Sequence, residues 1–483
     1  MESSPTAMLK FLLPKTPFIL KTALAHTLSF SETSSKWDLK TELTIRVLRD
    51  MLGPNHKLTP ITKLQDLTTR DPGVKGPVWV CWVSLEVPVE DDVRQAVFSA
   101  VREMGTGEEK WDECAMRGVQ GEWHGGRAGV RDAEPEPPNL SEKEKYQKLM
   151  GEVRHRTTVL YFHGGAMYLL DPATYRNITG KIARLTGGRV FSVRYRLAPQ
   201  HAFPAALLDA LMSYLSLLYP PPGAPHDPVA PSDIVFAGDS AGGMLASALL
   251  QLLLHLHRTS CFPPTLRWYG NDVEVPLPAG VALTSPWLDA TRSLPSIESL
   301  AKYDYLPPPS HTSRMTYPPD SAWPTSPPRA DLYAESSALC HPLVSPLAAR
   351  DWRSSPPVFI GVGEEMMRDE AAVLARRLHA QGGSVRWREW EAMPHCFAMM
   401  IESLPSSAQY FDEFARFCVD VVEGKVTGSD GARMAAKTGV RGTVEVERVT
   451  GYSDEEVEAF MREGRGRIER KFLGKGTETR PMI

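Results

Sequence analysis

Short apolar runs alternate with helical stretches through the middle of the chain. The runs are Thr158–Phe162 (TVLYF), Val190–Tyr195 (VFSVRY), Ile234–Ala237 (IVFA), Val281–Thr284 (VALT), Val358–Val362 (VFIGV) and Val385–Trp390 (VRWREW). Runs of that length, apolar at most positions, suit strands buried on both faces. With helices between them, they predict a doubly wound α/β sheet, mostly parallel and covered on both sides. Ahead of this block, Leu39, Leu43, Ile45, Val47, Leu48 and Leu52 recur at helical spacing over 37–52. Residues 78–88 are β-branched and aromatic, which predicts a strand. Residues 131–150 are charged and Pro-containing and read as a linker running into a short helix. The alternation stops between Trp287 and Val358, in a Pro-rich polar stretch that includes 306–329. A connection of that size is usually functional or disordered. After residue 423 the composition turns to Gly, Lys, Arg and Glu, and 451–472 reads as an exposed amphipathic helix. Asp454 and Glu455 stand near its positive dipole end.

One strand-to-helix junction carries chemistry. Gly238-Asp239-Ser240-Ala241-Gly242 is a G-x-S-x-G sequence set between IVFA and the helical run LASALLQLLLHLH. That context makes a sharp turn that lifts the serine hydroxyl above the sheet, with glycines where bulk would collide. The helix N-terminus adds a positive dipole end where an oxyanion would form. His163-Gly164-Gly165-Ala166 follows the strand TVLYF and matches the loop whose backbone N–H groups face such an oxyanion. Alanine in its fourth place tolerates φ > 0 poorly. A second such sequence, His124-Gly125-Gly126, follows no apolar strand and is expected to be a surface turn.

Together HGGA at 163–166, YRLAP at 195–199, FPAAL at 203–207 and GDSAGG at 238–243 resemble the hormone-sensitive-lipase-like family of α/β-hydrolases. The resemblance runs over about residues 155–420, and the chain's ends and Pro-rich insertion look like those of filamentous-fungal members. It implies an α/β-hydrolase fold whose cap comes from the N-terminal segment and an insertion. It also implies a Ser–acid–His triad. The expected organisation is an N-terminal cap or extension over 1–150, a catalytic core over 151–423 with its insertion at about 290–350, and a charged extension over 424–483. By family order the acid follows the strand VFIGV, which registers Glu365 on it, with Asp369 the alternative and Glu364 behind both. The family's usual residue is Asp. The histidine follows the last strand, which points to His395, with Cys396 in place of the family's glycine. Ser240 would be the nucleophile, the N–H groups of Gly164, Gly165, Ala166 and Ala241 the oxyanion hole, and His163 a support for its loop. Asp289 resembles a position that supports the active-site loops. Tyr195, Arg196 and Pro199 are expected to brace the sheet.

The implied activity is hydrolysis of a lipophilic ester, such as an acyl or acetyl ester of a sterol, lipid or secondary metabolite, through an acyl-enzyme. Two alternatives use the same fold: a non-catalytic ligand-binding homologue, and an acyltransferase with the same triad. No zinc, P-loop or Rossmann pattern occurs, so no metal and no cofactor is expected. Composition narrows the rest. The 483 residues carry a net charge of −4, which argues against a nucleic-acid partner. The six cysteines are scattered without a C-x-x-C pair, which suits free thiols in a reducing compartment. Residues 8–30 are apolar, but Lys10, Lys15 and Lys21 interrupt them and Pro14 and Pro17 are expected to break a single helix. They fit neither a cleavable signal peptide nor a spanning helix. They suit a peripheral membrane contact, or a helix packed on the protein's own body. The expected location is intracellular, in the cytoplasm or against an internal membrane. Oligomeric state stays open.

Overall fold

The computed structural model describes residues 13–53, 58–259, 263–312 and 316–477. Its strands are β1 (Val78–Ser84), β2 (Gln120–Gly126), β3 (Thr158–Phe162), β4 (Arg189–Val193), β5 (Ile234–Asp239), β6 (Thr265–Trp268), β7 (Asn271–Glu274), β8 (Gly280–Thr284), β9 (Val358–Gly363), β10 (Val385–Trp390), β11 (Asp430–Met434) and β12 (Arg441–Val444). β6 and β7 form a separate hairpin, and the other ten make one sheet in the order β1-β2-β4-β3-β5-β8-β9-β10-β11-β12. Pairing is parallel from β4 through β11, and β1, β2 and β12 run antiparallel to their neighbours. The six apolar runs supply the parallel centre, and their residues divide by period two. Leu160, Phe162, Phe236, Ile360 and Val362 enter one core layer; Val159, Tyr161, Val235, Ala237 and Phe359 enter the other.

The longer helices are α1 (Thr16–Thr27), α2 (Leu39–Leu52), α3 (Ile61–Thr68), α4 (Asp92–Met104), α5 (Glu142–Glu152), α6 (Pro172–Thr186), α7 (Ala205–Leu218), α8 (Ala241–Thr259), α9 (Arg368–Ala380), α10 (Pro405–Val422) and α11 (Asp454–Thr477). α7 and α8 bury almost every side chain between sheet and outer helices. α6 and α10 cover the opposite face. β4 lies on one side of β3 and β5 on the other. The strand order therefore reverses there, at the carboxyl ends of β3 and β5, the position where open α/β sheets bind their ligands.

Several features differ from the sequence expectation. Residues 1–150 supply the sheet's first two strands, β1 and β2, and residues 424–483 supply its last two. Pro17 does not break a helix, because α1 begins at Thr16 and the proline occupies its first turn, where a missing N–H costs nothing. His124-Gly125-Gly126 is no surface turn. It lies within β2, and His124 is fully buried. The sequence QGEWHGG lacks an apolar run because one face of β2 meets polar partners. Glu122 and His124 share that face, with 2.9 Å between Glu122 Oε2 and His124 Nε2. Arg176 on α6 donates to both Glu122 oxygens at 2.8 Å, and Thr179 Oγ1 lies 2.6 Å from His124 Nδ1. Gly125 faces the other layer, where an added Cβ would stand 2.3 Å from Leu149 Cγ.

Burial works to raise the Glu122 pKa, and its bonds to His124 and Arg176 outweigh it, bringing it down to about 2. A depressed carboxyl stabilises the fold above its unfolded pKa and loses that contribution as pH falls through its folded one. Arg176→Ala, which strands the buried carboxylate, should cost about 3–5 kcal/mol in urea unfolding at neutral pH. The gap to wild type should narrow on acidification from 4.5 toward about 2. A gap that stays constant over that range would assign the loss to packing.

Candidate active site

β5 ends at Asp239 and α8 starts at Ala241, which leaves Ser240 alone in the turn, half-buried, with φ +51°. An L-residue held left-handed stores strain of about 1–2 kcal/mol, so surrounding bonds must over-determine the turn. They do: Ser240 N–H donates to Thr284 O at 3.0 Å, and Ser240 O accepts from Met244 N at 3.1 Å and from Trp287 N at 3.0 Å. The flanking glycines are sterically required. A Cβ on Gly242 would sit 1.9 Å from Phe162 O, and one on Gly238 would sit 2.3 Å from Gly242 O.

Ser285, Glu365 and His395 follow β8, β9 and β10, so all three stand at the same carboxyl edge of the sheet as Ser240. His395 Nδ1 lies 2.6 Å from Glu365 Oε2, with Glu365 fully buried. The other carboxylate oxygen, Oε1, accepts from Ser285 Oγ–H and from Gly363 N–H at 3.1 Å. Ser285 Oγ in turn accepts from Cys396 N–H at 3.0 Å. The structure therefore brings Glu365 to His395. Asp369 is turned away: its Oδ2 accepts from Ser296 N–H at 2.9 Å at the start of α9. Glu364 is also elsewhere, accepting from Ala392 N–H at 2.9 Å. Cys396 adopts the left-handed conformation a glycine would favour, with φ +49°. Its thiol lies 4.0 Å from Asp239 Oδ2, which sets the histidine loop against the serine turn. Burial pushes that thiol up to about 11, so it stays neutral. Burial pulls the His395 pKa down, but the charge and hydrogen bond of the Glu365 carboxylate outweigh it, holding the imidazole well above its ordinary value.

The loop after β3 supplies backbone donors. Gly165, Ala166, Met167 and Leu170 all have positive φ, at +103°, +53°, +67° and +73°. Alanine thus does enter the region that its Cβ disfavours. Among the described residues the N–H groups of Gly165, Ala166 and Ala241 donate to no protein acceptor. Gly164 must be removed from the expected oxyanion set, because its N–H is committed to Asp239 Oδ1 at 3.0 Å. Asp239 also accepts from Tyr161 OH and Tyr175 OH, each at 2.8 Å, which ties the serine turn to the donor loop. Burial raises the Asp239 carboxyl against these bonds. His163 holds the loop from beneath. Its Nδ1 is 2.8 Å from Gly164 O, its ring stacks on Tyr195 at 4.3 Å, and Tyr195 OH donates to His163 O at 2.6 Å. Burial lowers the His163 pKa to about 4, so it is a neutral brace. Tyr195 braces this loop as well as the sheet, while Arg196 pairs with Asp209 at 2.8 Å.

The N-terminal segment and the insertion meet over the same loop. Gln65 on α3 donates to Tyr168 O at 3.1 Å and Ala198 O at 2.9 Å, and Leu170 N–H donates to Thr68 Oγ1 at 3.3 Å. From the insertion, Tyr317 OH lies 2.7 Å from Tyr168 OH, and Asp320 Oδ2 accepts from Thr62 N–H at 2.8 Å. Asp289 caps its own turn, accepting from Thr291 N at 2.9 Å and Ser293 N at 2.8 Å. Sequence reasoning passed over Ser285, Tyr161, Tyr175 and Asp304. Asp304 is fully buried and accepts from Met366 N–H at 3.1 Å, next to Glu365. Its signal is faint, since 300–306 has no periodic pattern. Among the described residues no cluster of His, Cys, Asp and Glu could hold a metal. Cys81, Cys114, Cys340, Cys396 and Cys418 are unpaired thiols, and Cys261 lies outside the described residues.

Comparison with known proteins identifies the family of the fold. A family model described as alpha/beta hydrolase fold matches residues 159–399. The chain is 30% identical over 261 residues to an acetyl-hydrolase of Streptomyces hygroscopicus, covering 54% of this chain and 74% of that protein. It is 30% identical over 252 residues to the carboxylesterase NlhH of Mycobacterium tuberculosis, covering 52% and 69%. A solved hormone-sensitive lipase from a metagenome library shares the fold, with a TM-score of 0.52 at 23% identity over 79% of this chain and 98% of that one. The named relatives are bacterial, and the expected fungal likeness has no counterpart among them.

A histidine whose pKa is raised is neutral, and so able to accept a proton, only above that raised value. The acid limb of kcat/KM for an ester substrate should therefore lie above 6.5. Glu365→Gln removes one raising cause and should move the limb to lower pH while slowing turnover by about 10²–10⁴-fold. Asp369→Asn should leave the limb in place. A limb that moves with Asp369 and ignores Glu365 would reverse the pairing.

Proposed function

The chain belongs to the alpha/beta hydrolase family and is a carboxylesterase/lipase-type serine hydrolase, and we propose that it cleaves a lipophilic ester through an acyl-enzyme on Ser240. The observation that carries this reading is the Glu365–His395 pair, 2.6 Å apart, at the sheet edge that also presents Ser240. In the first step Ser240 Oγ bonds to the acyl carbon as His395 Nε2 takes its proton. The carbonyl oxygen becomes negative and is met by the N–H groups of Gly165, Ala166 and Ala241. Collapse breaks the ester C–O bond, and His395 returns the proton to the leaving alkoxide. Water then attacks the acyl carbon with His395 as base, the acid leaves, and Ser240 regains its hydrogen. Glu365 keeps the imidazole oriented and stabilises its cationic form.

A lipophilic acyl or alcohol portion fits the apolar N-terminal segment. Phe18 and Leu20 stand on α1, while Leu9, Lys10, Phe11 and Leu12 lie outside the described residues. The same reading includes peripheral contact with a membrane through residues 8–30 and a location in the cytoplasm or at an internal membrane. No helix among the described residues is long and apolar enough to cross one. The fungal character of the ends and the insertion rests on sequence resemblance. Acyl transfer to an alcohol would use the same triad, with the alcohol in place of the deacylating water. A non-catalytic binding role is disfavoured by the intact Ser240, His395 and Glu365.

Wild-type protein should hydrolyse p-nitrophenyl esters between acetate and decanoate, with Ser240→Ala slower by about 10⁴-fold or more. A profile rising toward long chains supports the lipophilic reading, and one confined to acetate rejects it. Product analysis with added alcohol separates free acid from a new ester. A folded wild type inactive on every ester would favour the binding role.

A further inference from the structure

α1 turns an apolar row toward solvent. Leu20, Leu24 and Leu28 are 63%, 61% and 52% exposed, and Phe30 in the turn that follows is 81% exposed. Side chains four residues apart on a helix are neighbours, so the three leucines form one strip. Leu13, just ahead of the helix, is exposed too. Single exposed leucines are ordinary, but a contiguous strip marks a contact surface. The rest of the protein does not treat leucine this way: α7 and most of α8 are buried. α1 carries no acidic residue, and Lys21 is exposed between Leu20 and Leu24. The other side of α1 packs on α2.

The helix pair is fastened to the reactive edge of the sheet. Trp37 Nε1–H donates to Ala392 O at 2.6 Å, and Lys36 Nζ pairs with Glu391 at 2.5 Å, both on the loop that leads to His395. Lys40 Nζ donates to Ser403 Oγ at 2.9 Å beyond that loop. Arg49 Nε–H donates to Asp304 O at 2.8 Å, in the segment that lies against Glu365. Whatever α1 touches is thereby held beside the site.

We propose that the outer face of α1, with Phe30, docks on a lipid surface, and that Lys21 meets the anionic headgroups there. This rests on the reading of the site as an esterase for lipophilic substrates, and it names where that substrate is met: dissolved in the lipid, or a lipid itself. A bilayer fits the face better than a folded partner does. Leucines and a protruding phenylalanine enter the headgroup boundary without needing a matching shape, and a lysine among them reaches back to phosphate. α1 itself carries no carboxylate to repel an anionic membrane, and the exposed Glu32 beyond Phe30 lies 3.7 Å from the Lys302 ammonium.

The test is flotation of the full chain with phosphatidylcholine vesicles, with and without phosphatidylserine. Wild type should float, more strongly with phosphatidylserine. The combined variant Leu24→Gln, Leu28→Gln, Phe30→Gln should lose at least about tenfold in binding. Lys21→Glu should weaken binding to the phosphatidylserine vesicles selectively. All four positions are exposed, and p-nitrophenyl acetate turnover in solution should match wild type, which reports a folded site. Wild type that stays with the soluble fraction, or a combined variant that floats as well as wild type, overturns the proposal. So does a wild-type dimer in lipid-free sedimentation that the combined variant abolishes, since the face would then belong to a second copy. Loss of turnover in wild type would instead overturn the esterase reading, with the flotation result still readable.

Discussion

The arrangement depends on one buried carboxylate having each of its oxygens spoken for. Glu365 gives Oε2 to His395 Nδ1, and Oε1 receives the Ser285 hydroxyl and the Gly363 N–H. A buried charge left unpaired costs several kcal/mol, whereas bonds to a charged acceptor return about 1.5–3 kcal/mol each. The same set of bonds stitches three loops together. Ser285 follows β8, Glu365 follows β9, and the Cys396 N–H that donates to Ser285 belongs to the loop after β10. Removing the carboxylate would therefore loosen the histidine and the loops on either side of it.

Asp239, at the end of β5, has a matching role at the serine turn. It bonds the donor loop through Gly164 N–H and two tyrosines, and it lies beside the Cys396 thiol. Between them the two carboxylates hold several non-glycine residues at positive φ: Ala166, Ser240, Ser285 and Cys396. Strain of that kind persists only where surrounding bonds over-determine it. Its concentration at one sheet edge is the physical cost of placing a serine, a histidine and free backbone donors at the same carboxyl ends of the strands.

The parallel centre was legible because its strands are buried on both faces and spell continuous apolar runs. Ser240 and His395 were legible because their positions follow from strand order. Other elements were hidden by chemistry that lacks a period. β2 reads as Gly and polar residues, since Glu122 and His124 are satisfied by Arg176 and Thr179 from a helix more than fifty residues later. β11 and β12 sit in a charged segment, where Arg388 and Asp430 pair at 2.5 Å across the sheet. Ser285 is an ordinary serine until the fold places it between Glu365 and Cys396. The commitment of Gly164 N–H to Asp239 was equally invisible, because it depends on a contact between two loops.

The most direct test of the central claim is covalent labelling with a lipophilic p-nitrophenyl alkylphosphonate, followed by peptide mass mapping and a rate of incorporation. The account predicts a single label on the peptide carrying Ser240, absent in Ser240→Ala. Its rate should be unchanged in Asp369→Asn and lower by at least about a hundredfold in Glu365→Ala. A label on another residue, or one formed as fast in Glu365→Ala as in wild type, would contradict it.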